Sequence, residues 1–596
     1  MGIELRPGQR EVEKLIVESV RSGMQRVVLQ AYTGFGKTLA VLRAAVSLLS
    51  EGLVDVVVYT VRTRNELDPV LRECRRLGLD RVAVLFSARV MCPLAQLREV
   101  DPATFWLACS SARLAGKCPY YRRVDELLDR ALELAAQAQR HTDVPRLLGD
   151  KLGVCPFFTA LRLLELSRVV VCTYPYVFKD RIWRSVLRDH VSNRRAMLVV
   201  DEAHNLASVG SVFGEEVSSE TLERARSELD KLGLGRSRIA KFVEEVLAQR
   251  RSRSRSRGWV LVEGVDAPER EDIEELKSVL IDLRLRMGSV EDIVSTPSAL
   301  PPLLNLLEQL QSNDYHLLYS PEHDHFAALP GSYSVVEQAL RRFRAVIAMS
   351  GTIYPKLVRK LLAGKGSARY VDVEELGYES LTRRCIACVI ATFVTSRYRS
   401  RSFETYRAYA SIIEALRSVV DEGAVLFVYP SYEFMNRVLS NLRSAEGMIV
   451  ESRRITTEDV ERAARELRRC DIHAVAGGKI VEGIEVVIGG ESAIKMVVLM
   501  GAPYPVPDDY LSMLRKSAEE MGVDEREFME SLTAIRTMQA VGRAVRSESD
   551  RAIAVLADSR FLRPSMLRNL RMSRPCIARS LEQLKRVVSE LWKSIT

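Results

Sequence analysis

The chain has 596 residues, 47% of them hydrophobic and 28% charged, and its 87 Lys and Arg against 78 Asp and Glu give a formal charge of +9. That length predicts three to five units of about 150 residues, each able to bury a core, and this ordinary balance excludes wholesale disorder, while no apolar run reaches the roughly 18 residues of a membrane span. The basic surplus favours a polyanionic partner without naming one, and the opening MGIELRPGQREVEKL has no apolar signal core, so the ten cysteines are expected in a reducing cytoplasm, where stable disulfides are unusual.

From the N-terminus, short β-branched runs bounded by turns recur: RVVLQ at 26, VDVVVYT at 54, RVAVLF at 81, SRVVVCTY at 167, MLVVDEAH at 197 and AVIAMSGT at 345. Continuous apolar runs of this length read as parallel strands buried on both faces of an α/β sheet. Two stretches break the rhythm. Residues 87–162 carry four cysteines, and residues 208–336 read as helical, with EREDIEELKSVLIDLRLRM and LPPLLNLLEQL the clearest amphipathic segments. Both are expected to be inserted domains. The tract RRSRSRSRG at 250–258, inside the second, reads as a solvated basic loop. A second strand-and-helix series begins at Cys385 with CIACVIATFV and continues through AVLFVYP, DIHAVAGG, IKMVVLMGAPY and AIAVLAD, which predicts a second α/β sheet.

AYTGFGKT at 31–38 follows a strand and opens a helix, the setting in which a phosphate-binding loop carries weight. Gly34 and Gly36 let the backbone aim N–H groups at phosphate oxygens, Lys37 neutralises the terminal phosphates, and the Thr38 hydroxyl suits magnesium. Thr33 and Phe35 complete the loop, and Ala31 stands where such loops usually begin with glycine. VVDEAHNL at 199–206 ends a hydrophobic strand with Asp201, suited to magnesium, and Glu202, suited to orienting an attacking water. Together the two boxes predict nucleoside triphosphate hydrolysis. Charge on the departing phosphoryl group still needs a cation, and QAVGRAVRS at 539–547 offers Gln539, Arg543 and Arg546, the arginines three apart and so on one helical face. If the two sheets face each other across the nucleotide, hydrolysis alternately closes and releases a cleft, as a motor requires.

Cys92, Cys109, Cys118 and Cys155 leave 16, 8 and 36 residues between them, without the CxxC pairs of zinc ribbons and fingers. Buried inert thiols and an iron–sulfur cluster both fit that spacing. Cys385 and Cys388 form the one CxxC, but they lie in an apolar strand run and read as core. His316, His323 and His325 have no carboxylate or thiol framework to fix a metal geometry.

These boxes, in this order, resemble the superfamily-two helicases of DEAH type and, more narrowly, the XPD family of iron–sulfur DNA helicases. The resemblance is carried by YTVRTRNEL at 59, VVVCTYPYVF at 169, VVDEAHNL at 199, VIAMSGTIYP at 346, TSRYRSRSF at 395, VLFVYPSYEFMNRV at 425, VAGGKIVEGIEV at 475 and QAVGRAVRS at 539. It implies two RecA-like P-loop motor domains with parallel sheets. The first would comprise residues 1–86, 163–207 and 337–368, the second 369–596, with an iron–sulfur domain at 87–162 and a helical arch-like domain at 208–336 inserted in the first. It also implies that Lys37, Thr38, Asp201, Glu202, Gln539, Arg543 and Arg546 form an ATP site, that His204, Ser350 to Thr352 and Gly483 couple it to DNA, and that Gln9 contacts adenine. Cys92, Cys109, Cys118 and Cys155 would hold a [4Fe-4S] cluster, and Arg113, Lys117, Arg122 and Arg123 with Tyr120 and Tyr121 would offer charge and stacking faces to a single strand. The implied activity is that of a monomeric ATP- and magnesium-dependent helicase moving 5′ to 3′ on single-stranded DNA and opening forked duplex in DNA repair. Its rivals are a DNA-stimulated remodelling translocase and a damage-sensing DNA-binding subunit with a vestigial ATPase. The sequence names no protein partner.

Overall fold

The computed structural model of the chain describes residues 4–595 except 33, 80, 253–257, 287–297, 445–446, 453–454, 468, 484–485, 489–490 and 573. Thr33 and residues 253–257 of the arginine–serine tract therefore lie outside the described residues. Before the second interruption run β1 (Arg26–Gln30), β2 (Val56–Val61), β3 (Val82–Leu85), β4 (Val169–Thr173) and β5 (Ala196–Val200). Within it lie β6 (Glu215–Ser218), β7 (Val260–Leu261), β8 (Tyr315–Ser320) and β9 (His325–Pro330), and β10 (Ala345–Ser350) and β11 (Ala368–Asp372) come after it.

The apolar runs become a parallel seven-stranded sheet in the order β11-β1-β10-β5-β2-β4-β3. Every residue of β1, β2, β4, β5 and β10 is buried, as continuous Val-, Ile- and Leu-rich strands covered on both faces should be. Strand adjacency fixes where the boxes meet. β1, β10 and β5 are adjacent and parallel, with Gln30 opposite Ser350 and Ala348 opposite Val200. The segments leaving their C-terminal ends, AYTGFGKT, SGT and DEAH, therefore emerge side by side on one edge, where α/β sheets hold ligands. Residues 369–372, which the sequence pattern assigns to the second motor, instead lie on β11, the first sheet's edge strand paired with β1. ARYVD is short and mostly half-buried, so no apolar run announces it.

The second interruption is mixed rather than helical. β6 to β9 form an antiparallel sheet in the order β6-β9-β8-β7, backed by the helices Ser219–Lys231, Arg238–Ser252, Arg270–Arg286 and Leu300–Leu310. Leu222, Val243, Leu276, Leu303 and Phe326 share its core. His316 pairs with Leu329 and His325 with Ser320, at opposite ends of the β8–β9 hairpin, so these histidines do not converge. The first interruption is helical, and its helix Pro102–Leu114 sends Leu107 against the core of the second.

The second lobe adds β12 (Ile386–Ala391), β13 (Gly423–Tyr429), β14 (Met448–Val450), β15 (Arg469–Val475), the short pair β16 (Val487–Ile488) and β17 (Glu491–Ser492), then β18 (Ile494–Leu499), β19 (Ala552–Leu556) and β20 (Cys576–Ala578). Seven of these form a parallel sheet, β14-β15-β13-β18-β19-β12-β20. Cys385 and Cys388 are buried at the start of β12, as core thiols. The helices Asp509–Glu520 and Glu525–Val541 cross from the second sheet and bury Leu514, Ala518, Phe528 and Ile535 in the first lobe's core, so the lobes share a hydrophobic seam. No helix among the described residues is long and apolar enough to cross a membrane.

Candidate functional site

The loop after β1 turns on glycines. Gly36 (φ 82°) caps the helix Lys37–Ser50 in the left-handed region and Gly34 (φ 91°) shares that region, where a Cβ would be strained. Beneath the loop, the buried Gln9 donates its amide to the carbonyls of Phe35 at 3.0 Å and Gly36 at 3.1 Å, while its Oε1 accepts from the Arg6 N–H at 2.8 Å. A Cβ on Gly36 would strike that amide. Gln9 thus braces the phosphate-binding loop in this structure. Phe35 is buried, edge-on to Tyr32 at 5.7 Å between centroids, and Thr38 takes its place in the first turn of the helix.

Past the end of β5 the backbone bends through Glu202, whose φ of 47° is rare for a residue with a side chain. The bend brings Glu202 Oε1 to 3.0 Å from Lys37 Nζ. Burial disfavours the Lys37 ammonium, but Glu202 and Asp201 together outweigh it and raise its pKa. Burial also raises the Asp201 carboxyl, and the adjacent Glu202 charge raises it further. Glu202 moves the other way: burial opposes its charge, yet Lys37 and His204 stabilise it. Of this crowded pair, Glu202 is the carboxyl held charged and Asp201 the one whose ionisation its surroundings oppose.

From Glu202 a hydrogen-bond chain runs across the seam. Ser350 Oγ lies 2.9 Å from Glu202 Oε2 and 2.6 Å from His204 Nδ1, and Gln539 Nε2 lies 3.1 Å from His204 Nε2. One assignment of protons satisfies it: Gln539 donates to Nε2, Nδ1–H donates to the Ser350 oxygen, and the Ser350 hydroxyl donates to Glu202. The Gln30 side chain pins the SGT turn, donating to the Gly351 carbonyl at 2.7 Å and accepting from the Ile353 N–H at 2.6 Å.

Gln30, Glu202, His204, Gly351 and Thr352 line a cleft of about 480 Å³ whose opposite wall carries Lys479, Gly483, Gln539, Arg543 and Arg546. The two arginines do not share a helical face. The helix ends at Val541, Gly542–Ala544 tightens into a 3₁₀ turn, and Val545 is extended. Arg546 lies beyond the helix with its N–H on Asp550 Oδ2 at 2.6 Å, yet both arginines still line the cleft. Gly542 and the serine-rich run after Arg546 are the sequence signals for that early stop. At the other end Arg571 reaches Asp372 at 2.9 Å and lies 3.9 Å over the Tyr354 ring. Sequence reasoning misses Gln30, Tyr59, Tyr354 and Arg571. Only Gln30, a polar residue ending a buried apolar strand, leaves a local trace.

A second site lies in the first interruption. Cys92, Cys109, Cys118 and Cys155 line one apolar chamber with Phe105, Trp106, Phe157 and Phe158. Among the described residues no three His, Cys, Asp or Glu side chains converge on a single ion, so the thiols surround a space without closing on one point. Each of Cys92, Cys118 and Cys155 precedes a proline, which has no N–H and fixes the turn. Main-chain amides beyond two of these prolines favour the thiolate, Leu94 N–H at Cys92 and Phe158 N–H at Cys155, and the Arg113 guanidinium does the same at Cys109. Burial pushes the Cys92 thiol up to about 11 and Cys155 up to about 12, so these sulfurs ionise only against a strong positive centre. Four thiols, donors aimed at sulfur and a dry wall are the residues an iron–sulfur cluster takes.

The DEAD_2 family matches residues 59–222 and the helicase C-terminal domain family residues 413–575. The ATP-dependent DNA helicase XPD of Sulfolobus acidocaldarius is 29% identical over 94% of this chain and 96% of that protein. A solved XPD helicase structure, 26% identical, superposes with a TM-score of 0.75 over 97% of this chain and 100% of the other. The chain carries XPD-like DEAD_2 and helicase C-terminal domains. The general transcription and DNA repair factor IIH helicase subunit XPD of Schizosaccharomyces pombe is more distant, 22% identical over 90% of this chain and 84% of that protein. The matched ranges divide the XPD-like site between them. The first holds the four cysteines, Asp201 and Glu202; the second holds Gly483, Gln539, Arg543 and Arg546.

Proposed function

We propose that this chain is an ATP-dependent DNA helicase that moves 5′ to 3′ on single-stranded DNA and opens forked duplex in DNA repair. One observation carries the reading: Lys37, Glu202, Ser350, His204 and Gln539 form an unbroken polar chain from the phosphate-binding loop into the wall that bears Arg543 and Arg546. In that role Lys37 and the loop amides hold the β- and γ-phosphates, and Glu202, kept ionised by Lys37 and His204, orients the attacking water. Bound magnesium would neutralise phosphate oxygens, and the Thr38 hydroxyl and Asp201 carboxylate would hold it. Arg543 and Arg546 meet charge developing on the γ-phosphoryl group. His204 carries the state of Glu202 to Gln539, and with it to the second lobe, while Ser350 to Thr352 and Gly483 extend that coupling toward DNA. Lys37→Ala is expected to lower single-strand-stimulated hydrolysis by about a hundredfold or more, and wild type is expected to displace a strand from a 5′-tailed but not a 3′-tailed duplex. Equal displacement from both tails overturns the polarity, and unchanged hydrolysis in Lys37→Ala overturns the site.

The cysteine chamber fits a [4Fe-4S] cluster held by Cys92, Cys109, Cys118 and Cys155, whose supporting role is mechanical order. Tying four points together stiffens a 76-residue insertion, residues 87–162, beside the nucleic acid. Anaerobically purified protein is expected to carry about four irons per chain and to absorb near ~400 nm. Cys109→Ser is expected to lose that band and duplex opening while keeping single-strand-stimulated hydrolysis.

A further inference from the structure

Two tyrosines converge on the DEAH turn from outside both nucleotide boxes. Tyr59 lies on β2 with none of its side chain exposed, and Tyr174, almost as deeply buried, follows β4. A buried phenol is retained where its hydroxyl has a partner. Tyr59 donates to Asp201 Oδ2 at 2.9 Å. Tyr174 instead serves the main chain, donating to the Asp201 carbonyl at 2.5 Å and lying 3.1 Å from the Glu202 carbonyl. Asp201 Oδ1 already accepts the Glu202 N–H at 2.9 Å. Each carboxylate oxygen of Asp201 thus has one fixed donor, which sets its rotamer and leaves further lone pairs open. Tyr174 holds the left-handed turn, and Tyr59 holds the carboxylate.

We infer that Tyr59 is a positioning residue for the divalent cation of the nucleotide site, its hydroxyl fixing the carboxylate of Asp201, one of the two proposed protein ligands. This rests on the reading of Lys37, Thr38 and Asp201 as an ATP–magnesium site. Outer partners of metal ligands typically govern about ten- to a hundredfold in metal affinity, and here the hydroxyl fixes the ligand just past the end of β5. A phenylalanine at 59 keeps the ring packing and removes only that hydrogen bond. A phenylalanine at 174 removes a similarly buried hydroxyl that bonds only main-chain carbonyls of the same turn and no side-chain oxygen of either proposed ligand, which makes it the matched control.

The test is equilibrium binding of a fluorescent, non-hydrolysable ATP analogue to the full chain, once with magnesium and once with EDTA. Wild type is expected to bind more tightly with magnesium. Tyr59→Phe is expected to shrink that gain about tenfold while leaving affinity in EDTA unchanged, and Tyr174→Phe is expected to keep the wild-type gain. Three results overturn the inference: a wild-type magnesium gain in Tyr59→Phe, an equal loss in magnesium and EDTA, or the same shrinkage in Tyr174→Phe. A wild type with no magnesium gain overturns the parent site reading and this inference with it.

Discussion

His473 shows how strongly a single buried group can couple this fold to pH. It sits on β15 with none of its side chain exposed, stacked on Phe427 at 4.9 Å between centroids. Its Nδ1 lies 2.8 Å from the Tyr429 hydroxyl, and Nε2 has no partner among the described residues. Burial, with Arg417 adding, depresses its pKa to about 3. The unfolded chain takes up that proton near about pH 6.5 and the native chain does not. The stabilisation is therefore complete above about 6.5 and is lost at about 1.4 kcal/mol per pH unit on descending toward 3. His473→Phe is expected to lower stability near neutrality by about 1 kcal/mol through the lost Tyr429 partner. It is also expected to flatten the fall in unfolding free energy between about pH 6 and 4 by up to one proton. Denaturant titrations at several pH values read both effects, and parallel wild-type and variant curves mean that the native histidine titrates normally.

At the scale of elements, the loop after β15 depends on one carboxylate. Glu451, buried just past β14, accepts the Val475 N–H at 2.8 Å and the Ile480 N–H at 3.2 Å, and a Cβ on Gly478 would come within 2.6 Å of it. The loop so fixed delivers Lys479 and Gly483 to the cleft. Glu451→Gln presents a donor to one of those N–H groups and leaves it unsatisfied, a cost of about 1–3 kcal/mol. The expected outcome is about a tenfold rise in the DNA concentration that half-maximally stimulates hydrolysis, with DNA-free turnover within about twofold of wild type. Unchanged stimulation removes the loop from the coupling path. Glu451 leaves no mark in the sequence, and the reason is general. The strands of both parallel sheets can be read because two-sided burial demands unbroken apolar runs, and Lys37, Asp201 and Glu202 because phosphate chemistry demands those groups on particular strand ends. The β8–β9 hairpin, the edge strand β11 and the position of Arg546 beyond its helix answer to long-range packing, which no local pattern encodes. Tyr59 shows the same limit: its ring satisfies the strand pattern, and its hydroxyl acquires meaning only when β2 lies beside β5.

Across the whole molecule, the arch-like insertion of the first lobe is fastened to the second lobe's chain. Asp508 caps the helix Asp509–Glu520 through the Leu511 N–H at 2.7 Å and accepts the Trp259 N–H at 2.9 Å with its other oxygen. Asp509 accepts the Leu261 N–H at 2.9 Å and donates its own N–H to the Trp259 carbonyl at 3.1 Å. These bonds occupy the free edge of β7, while Tyr510, Trp259 and Leu261 all pack against the small core of Leu318, Ala327 and Leu329. The chain continues into the helix Glu525–Val541, which carries Gln539 and ends just before Arg543, so the arch's edge strand and the nucleotide cleft sit at two ends of one helical hairpin. Such a connection gives lobe movement a direct route to the arch, and the arch a means of loading the cleft. Asp509→Ala removes the Leu261 bond while Asp508 still caps the helix, so the loss of about 1 kcal/mol is expected to remain local. Amide exchange at Leu261 is expected to quicken about fivefold, consistent with that energy. A fluorophore pair spanning arch and second lobe is expected to show a broader distance distribution, with hydrolysis in the absence of DNA unchanged. Coupling through this route further requires that nucleotide-dependent narrowing of the distribution, present in wild type, weaken in the variant. If the variant narrows as wild type does, the arch follows the motor by another path and the contact with β7 is only a prop.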